Sequence, residues 1–242
     1  MIPKIIHQTW RDSNIPSKAM FCINSWRHLN HDYEYKFWTD KDIHNFVDDF
    51  YPEFSSKLNN FRKGIIKADF FRLLTLYHFG GVYADIDFEC LKSIKEWEID
   101  ENKINIACEP KEHNTAHGKN DFILCNALIV SPPKNEALMG LIKWGNFIND
   151  KHPLEVMHSY GPLAWTSFYK KFHTQHHINL INSDLFYPLP DITNSSLKYT
   201  NISKEEYIKK IKNKDFDSYA VHYWDHSNWD RESILDLIKE WN

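Results

Sequence analysis

The run from Ile65 to Glu89, IIKADFFRLLTLYHFGGVYADIDFE, constrains the fold more than any other part of the sequence. Apolar residues recur at helical spacing through its first half, which predicts a helix with one apolar face. Gly80-Gly81 should end that helix, because glycine adopts a positive φ without steric cost. The residues that follow, Val82–Asp87, predict a buried strand that becomes acidic at its C-terminal end.

Two carboxylates, Asp85 and Asp87, close the predicted strand. Alternate residues of a strand share a face, so both side chains should point the same way, with Cβ atoms roughly 7 Å apart. Carboxylates at the C-terminal edge of an α/β sheet suit a hard divalent cation and a phosphate ligand. A D-x-D pair alone is weak evidence, since such pairs also occur in turns and at solvated strand ends.

Asp69 and Arg72 lie three positions apart on the predicted helix and therefore share one face, which is polar where the other side is apolar. Such pairs are usually surface salt bridges that contribute little stability. Here the pair precedes a glycine break, an apolar strand and a D-x-D motif in one unbroken run. That combination favours a functional role.

Strands and helices alternate through the first half of the chain, which predicts a mostly parallel sheet with helices on both faces and a mixed C-terminal extension. We expect one domain over residues 1–242, with 191–218 as the candidate for an insertion or flap. The first strand should end before Trp10, and Tyr33–Trp38 should form the second, followed by a helix capped by Thr39. We also expect a polar loop over Glu109–Asn120, which contains His113 and His117, and a short strand at Phe186–Tyr187.

The residues of the central run resemble the sugar-binding D-x-D region of family 32 glycosyltransferases. The matching positions are Lys67, Ala68, Asp69, Arg72, Leu76, Tyr77, Gly80, Gly81, Tyr83, Asp85 and Asp87. The opening Ile2–Trp10, IPKIIHQTW, is similar to the first strand of that family, and Ala220–Trp224 followed by Trp229 gives a weaker match.

This resemblance implies a GT-A fold and transfer of a hexose from a UDP- or GDP-linked sugar to a hydroxyl acceptor, with retention of configuration. It implies Mn²⁺ or Mg²⁺ as cofactor and front-face attack assisted by the leaving phosphate. The acceptor should be a glycan or glycolipid ahead of a protein, and the setting capsule or surface-glycan synthesis.

The resemblance also assigns roles to individual residues. Asp87, Asp85 and His222 should bind the metal, with Asp87 as the direct ligand, and Asp85, Asp87 and Arg72 should be catalytic. The residues expected to bind the nucleotide sugar are Trp10, Asp69, Arg72, Tyr83 and Asp85. The acceptor or sugar pocket should include Asn126, Gly161 and Pro162.

Each of the less certain positions has a purely structural alternative. Trp10 can cap the core instead of stacking on a base. Asn126, inside an apolar strand, can bond a neighbouring backbone group in place of a sugar hydroxyl. Pro162 suits the first position of a helix without any ligand. His222 can be a packed histidine beside Trp224.

The composition argues against several other classes of protein. Lys and Arg number 29 against 33 Asp and Glu, and the net charge of −4 argues against a general nucleic-acid binder. No apolar stretch approaches eighteen residues, so we expect no membrane span, and no signal peptide is recognisable. Four cysteines without C-x-x-C spacing indicate buried thiols in a reducing compartment. We expect a cytoplasmic protein, and peripheral association with the inner membrane face stays open.

Two other functions remain open at this point. A phosphatase of the haloacid-dehalogenase type also places D-x-D at a strand end, but it normally has Thr or Val two residues beyond the second Asp, where this chain has Glu89. A non-catalytic carbohydrate-binding relative is the second alternative. The four charged residues of the central run count against it, since a binding module needs no metal–phosphate site.

Overall fold

The structure is a computed structural model that describes residues 1–116, 121–145, 155–172, 177–191, 203–214 and 216–225. The strands are β1 (Ile5–Thr9), β2 (Glu34–Trp38), β3 (Gly81–Ala84), β4 (Phe88–Cys90), β5 (Ile104–Cys108), β6 (Leu124–Ser131), β7 (Ile178–Ile181) and β8 (Ala220–His222). The α-helices are α1 (Met20–Leu29), α2 (Asp40–Phe50), α3 (Ser55–Asn60), α4 (Gly64–Phe79), α5 (Lys111–Ala116), α6 (Glu136–Trp144), α7 (Glu155–Ser159), α8 (Pro162–Phe172), α9 (Ser183–Phe186) and α10 (Lys204–Asn213).

Six of these strands form the central sheet, in the order β2-β1-β3-β6-β5-β7. The β1–β2, β1–β3 and β5–β7 pairs are parallel, whereas β6 runs antiparallel to both β3 and β5. A second, two-stranded sheet pairs β4 with β8 in antiparallel register, which places Phe88 opposite His222. The pairing brings the C-terminal part of the chain beside the segment that follows β3.

The sheet is covered on both faces, so β3 buries its residues alternately on opposite sides. Val82 and Ala84 pack in one core with Trp26 of α1 and with the β4–β8 sheet. Tyr83 packs in the other core, which also contains residues of α2, α4, α6 and α8. This confirms the predicted mostly parallel α/β sheet with helices on both faces.

The Gly80-Gly81 turn joins α4 to β3 at positive φ values of 67° and 97°. A Cβ atom on Gly81 would lie 2.4 Å from the backbone oxygen of Ile5, and one on Gly80 would lie 2.7 Å from Pro133. Only glycine therefore allows β3 to approach β1 this closely. His7 of β1 donates a hydrogen bond from Nε2 to the Gly80 carbonyl oxygen at 3.0 Å, which fixes the turn from the other side.

Several local predictions are confirmed. β1 ends immediately before Trp10, and β2 closely matches the predicted Tyr33–Trp38. Thr39 caps α2 through a reciprocal bond with Asp42, since each side chain accepts a hydrogen bond from the other residue's backbone. Pro162 is the first residue of α8, where its fixed φ suits a helix start.

Three local predictions are wrong. The strand expected over Val82–Asp87 ends at Ala84, because Phe88 N–H closes a turn onto the Asp85 carbonyl. The loop expected over Glu109–Asn120 contains α5, where His113 is buried against Glu109, and His117 lies outside the described residues. The strand expected at Phe186–Tyr187 is the end of α9, which Asn182 caps.

Part of the predicted insertion at 191–218 lies outside the described residues. Within the described part, α10 is anchored by Tyr207 and Ile211, which are buried in the core. None of the helices in the described ranges is long and apolar enough to cross a bilayer.

The glycine turn yields a prediction about stability. Gly81→Ala should lower the free energy of unfolding by about 1–3 kcal/mol or more, because an alanine at this φ is strained and its Cβ meets the Ile5 carbonyl. Chemical denaturation with a circular-dichroism readout would measure the change.

Gly64→Ala is the matched control, since nothing lies within 4 Å of a Cβ at this first residue of α4. It should be neutral or stabilising by up to about 1 kcal/mol. Equal unfolding free energies for the two variants would contradict this explanation of the turn.

Candidate active site

A cleft of about 220 Å³ opens where the C-terminal ends of β1 and β3 meet. Such edges are where α/β sheets usually bind ligands. Its lining combines an aromatic side chain, Trp10, with acidic groups and a histidine. The lining residues are Thr9, Trp10, Arg11, Asp40, Gly64, Ile65, Ala68, Tyr83, Asp85, Ile86, Asp87, His222, Trp224 and Asp225.

Three potential metal-binding side chains converge in this cleft. Ligand atoms of Asp85, Asp87 and His222 all lie within 4.8 Å of one another. The two aspartates belong to the turn after β3, and His222 ends β8, which pairs with β4 directly beyond that turn. The sheet pairing therefore joins residues that are more than 130 positions apart in the sequence.

Asp87 is held from two sides. Its Oδ2 atom lies 3.1 Å from His222 Nε2 and accepts a hydrogen bond of 2.7 Å from the backbone N–H of Asp225. Burial alone would raise the pKa of Asp87, but His222 and the N–H donor outweigh it and lower that pKa. Burial alone would likewise lower the pKa of His222, and the Asp87 carboxylate raises it. Each partner of this pair therefore favours the charged form of the other.

Asp85 is oriented by contacts to both its side chain and its backbone. Oδ1 accepts a hydrogen bond from Tyr83 Oη at 3.1 Å and lies 3.0 Å from Arg72 Nη2. The backbone oxygen accepts a bond of 3.1 Å from Gln8 Nε2, and Tyr35 Oη in turn donates to Gln8 Oε1 at 2.7 Å. Gln8 is fully buried in β1, so the first strand helps to fix the acidic turn.

Beneath the cleft lies a buried network centred on Arg72. Its Nη2 atom lies 3.1 Å from Asp69 Oδ1, and Nη1 donates to the backbone oxygen of Asn126. Asn126 Nδ2 donates to Asp69 Oδ1 at 2.8 Å and to the Tyr160 carbonyl at 3.3 Å. Burial raises the pKa of Asp69 to about 6, although Arg72 opposes this shift.

Asp69 and Arg72 are 3% and 1% exposed, so the pair is not the surface salt bridge considered from the sequence. Neither residue lines the cleft. Their direct contact with a donor sugar or phosphate stays a prediction, while their contact with Asp85 is present in the structure. The Asn126 amide donates to the Asp69 carboxylate and to the Tyr160 carbonyl. The backbone partner that the sequence offered as the alternative to a sugar hydroxyl is therefore present.

Trp10 lies half-buried in the cleft wall, and its buried Nε1–H has no hydrogen-bond acceptor among the described residues. An indole N–H in such a place is available to a ligand. Tyr83 is buried and reaches the wall beneath Asp85. Gly161 and Pro162, expected in the acceptor pocket, are not among the residues that line this cleft; Pro162 is the first residue of α8, and Gly161 directly precedes it.

The sequence did not single out four residues that line or support the cleft. Asp40, Trp224 and Asp225 line it, and Gln8 supports Asp85 from below. A usable signal existed for Gln8, since a polar side chain inside a buried parallel strand needs a partner. Asp225 contributes through its backbone N–H, which no residue-type pattern reveals.

The residues present fit a divalent cation of the kind that the D-x-D motif implies. Two carboxylates and an imidazole within 4.8 Å of one another can share one ion with bonds of about 2.0–2.6 Å after small side-chain adjustments. His222 Nε2 faces the carboxylates, and its buried Nδ1 makes no hydrogen bond within the part of the chain that the structure describes. His222 also stacks on Phe88, at 4.6 Å between ring centroids, so it is both packed and placed for ligation.

The fold is of the GT-A type that glycosyltransferases have, with the acidic cleft at the C-terminal ends of β1 and β3. The chain is similar to the glycosyltransferase GlyE of Streptococcus pneumoniae TIGR4, with a TM-score of 0.53 over 100% of this chain and 60% of that one. Their sequences are 11% identical, so the likeness concerns the fold alone. It confirms the fold expected from the sequence.

The sequence comparisons concern one part of the chain. Residues 16–104 match the family model described as "Glycosyltransferase sugar-binding region containing DXD motif". The chain is 40% identical over 93 residues to inositol phosphoceramide mannosyltransferase 3 of Schizosaccharomyces pombe, which covers 38% of this chain and 26% of that protein. It is 35% identical over 102 residues to the initiation-specific alpha-1,6-mannosyltransferase of Candida albicans, covering 39% and 26% respectively.

The match therefore spans about a quarter of the length of these curated relatives. The family-model match over residues 16–104 includes α4, the glycine turn and the D-x-D motif. Residues 16–104 match the model of that sugar-binding region, which confirms the resemblance for this part of the chain.

The buried network yields a second prediction. Arg72→Met should lower the free energy of unfolding by about 3–5 kcal/mol, because it leaves the Asp69 carboxylate buried without its cation. Adding Asp69→Asn to that variant should recover part of the loss, since the unpaired charge is removed. Urea denaturation of the parent, the two single variants and the double variant measures the coupling.

Lys103→Met provides the control. Lys103 and Asp100 form another i,i+3 pair, at 3.6 Å, but about a third of each side chain is exposed. Loss of such a pair should cost less than about 1 kcal/mol. A similarly small cost for Arg72→Met would show that the buried network does not depend on the ion pair.

Proposed function

We propose that the chain is a metal-dependent, retaining glycosyltransferase that transfers a hexose from a nucleotide sugar to a hydroxyl group of a glycan or glycolipid. The observation that carries the proposal is the convergence of Asp85, Asp87 and His222 in a cleft that also presents Trp10. The arrangement offers cation ligands and an aromatic surface within one site.

The difficult step in such a transfer is departure of the nucleoside diphosphate, which gains negative charge as the glycosidic bond breaks. When bound, a divalent cation neutralises charge on the two phosphates and holds the donor. Asp87 and His222 would hold that ion directly, and Asp85 would bind it directly or through water. Because the set includes an imidazole nitrogen, we expect Mn²⁺ to serve better than Mg²⁺, which prefers an all-oxygen shell.

Other residues of the cleft would orient the donor. Trp10 would stack on the base, since any nucleobase offers a flat face to an indole ring. Tyr83 and Arg72 keep Asp85 in place through bonds of 3.1 Å and 3.0 Å to its Oδ1. Arg72 thus contributes to the site by orienting a carboxylate, with the sugar hydroxyls as a further expected partner.

Retention with front-face attack follows from the family resemblance. The structure offers support in that three of the four carboxylates that line the cleft, all except Asp40, have charged partners. Asp85 pairs with Arg72, Asp87 with His222, and Asp225 with Lys18 at 2.8 Å. Carboxylates engaged in this way are poor covalent nucleophiles, which favours attack assisted by the leaving phosphate.

The names of the relatives favour a mannosyl donor and a glycolipid acceptor, since one of them is named as an inositol phosphoceramide mannosyltransferase. We propose the same class of reaction for this chain, at a hydroxyl exposed at a membrane surface. Action from the cytoplasmic side, and a role in capsule or surface-glycan assembly, belong to the same proposal.

A phosphatase is disfavoured on the position of the motif. Enzymes of the haloacid-dehalogenase type open the fold with their acidic strand, whereas Asp85 follows the third strand of this chain. Release of phosphate from a generic aryl phosphate would revive that alternative. A non-catalytic carbohydrate-binding role would be indicated by sugar binding without turnover of any nucleotide sugar.

The direct test is turnover of a panel of UDP- and GDP-linked hexoses, first by hydrolysis and then with glycolipid acceptors. Asp87→Asn should lower Mn²⁺-dependent turnover by at least about 100-fold, because the change is nearly isosteric but removes a charge that the cation requires. A cooperative thermal unfolding transition should show that Asp87→Asn is folded. Asp49→Asn, on α2 away from the cleft, should keep the parent activity. Parent-like turnover in Asp87→Asn would rule out the metal assignment.

Trp10→Ala should weaken binding of the nucleoside diphosphate by about 1–3 kcal/mol, the range for base–aromatic stacking. Calorimetric titration in the presence of Mn²⁺ measures the change. Trp144→Ala is the control, since Trp144 is another half-buried tryptophan, packed on Phe168 of α8 away from the cleft. If Trp10→Ala unfolds while its folded fraction binds normally, Trp10 belongs to the core.

A further inference from the structure

Trp224 has a backbone conformation that is rare for its residue type. Its φ is +51°, and the other non-glycine residues with positive φ in the described ranges are Lys134 and Lys214. A bulky side chain in the left-handed region is strained, and such strain persists only where surrounding contacts enforce it. The contacts that enforce it are therefore informative about what this turn does.

The Trp224 ring is held on three sides. Its centroid lies 4.2 Å from that of His222 and 4.6 Å from that of His113, which meets it edge-on. Its Nε1–H donates a hydrogen bond of 2.8 Å to the Leu189 carbonyl. The indole is 7% exposed, so these contacts leave it little freedom to move away from His222.

His113 is itself fixed behind that ring. Its Nδ1 lies 2.8 Å from Glu109 Oε2, and its Nε2 accepts a hydrogen bond of 2.9 Å from the Asp191 backbone N–H. Accepting at Nε2 requires a proton on Nδ1, so the tautomer and the ring plane are both set. Glu109 and His113, buried and unused by the proposed reaction, thus form a support for Trp224.

The left-handed turn also determines what the next residue does. Directly after Trp224, the Asp225 backbone N–H donates to Asp87 Oδ2 at 2.7 Å. The Asp225 side chain meets Lys18 Nζ at 2.8 Å, which ties the turn to the segment before α1. An extended conformation at Trp224 would carry this N–H away from Asp87.

We propose that Trp224 is a positioning residue for the metal site, which presses its ring against His222 and, through its left-handed backbone, aims the Asp225 N–H at Asp87. The inference rests on the proposed function, because His222 and Asp87 matter as cation ligands only in that setting. Trp224 touches two expected ligands, one through its side chain and one through the geometry of the chain.

The test compares Trp224→Ala with Trp224→Gly. Both lose the ring, but only glycine adopts a positive φ without strain. Mn²⁺ binding, measured from the electron paramagnetic resonance signal of the free ion with UDP or GDP present, should weaken by about 10–100-fold in Trp224→Ala. Trp224→Gly should bind Mn²⁺ more tightly than Trp224→Ala, which is the reverse of the usual effect of glycine on stability.

Trp97 supplies the matched control for the side chain. It is 6% exposed, its Nε1–H donates to the Lys92 carbonyl at 3.0 Å, and its backbone has an ordinary φ of −82°. Trp97→Phe and Trp224→Phe should lower the melting temperature to a similar extent. Only Trp224→Phe should weaken Mn²⁺ binding, since of these two tryptophans Trp224 is the one that contacts His222.

A readout without metal completes the test. Hydrogen exchange at the Asp225 amide should be slow in the parent, faster in Trp224→Ala and slowed again in Trp224→Gly. Parent-like exchange and Mn²⁺ affinity in Trp224→Ala would overturn the inference while leaving the proposed function intact, provided that Asp87→Asn abolishes binding. A parent protein that binds no Mn²⁺ with either nucleotide would overturn both.

Discussion

The site depends on the buried, positively charged guanidinium of Arg72. The Arg72 guanidinium lies between Asp69 and Asp85 and donates to the Asn126 backbone, with the Tyr83 ring 4.5 Å below it. Burial alone would lower the pKa of Arg72, but the neighbouring carboxylates and Tyr83 raise it, so it stays charged. A buried charge of this kind must keep its partners, and so it fixes α4, β3 and β6 relative to one another. Through its contact with Asp85, Arg72 therefore also fixes the acidic turn after β3.

Two distant parts of the chain complete that turn from above and below. From below, Gln8 of β1 donates a hydrogen bond to the Asp85 carbonyl, and His7 donates one to the carbonyl of Gly80, directly before β3. Burial lowers the pKa of His7 to about 4, which keeps the ring neutral as both donor and acceptor. From above, β8 pairs with β4 and delivers His222 and the Asp225 N–H to Asp87. The polar residues of the opening motif thus act as supports for the D-x-D segment.

The sequence predicted the parts of this arrangement that follow from local chemistry. The helix, the glycine pair and the two carboxylates that follow β3 each have a residue-type reason, and the resemblance added His222. It did not predict that Asp69 and Arg72 are buried, because α4 is covered on nearly all sides and its polar face meets Asn126 instead of solvent. The sequence predicted no role in the site for Trp224 and Asp225, for another reason. A left-handed tryptophan and a backbone N–H leave no pattern in residue types, and both depend on a sheet pairing that spans more than 130 positions.

The central claim is that Asp85, Asp87 and His222 bind one divalent cation together with a nucleoside diphosphate. The most direct measurement is the anomalous X-ray signal of Mn²⁺ in a crystal grown with UDP or GDP. The account predicts one strong peak within about 2.0–2.6 Å of Asp87 Oδ and His222 Nε2, with Asp85 bound directly or through a water molecule and both phosphates in contact. A nucleotide bound in the cleft with no anomalous peak beside these three residues would contradict it.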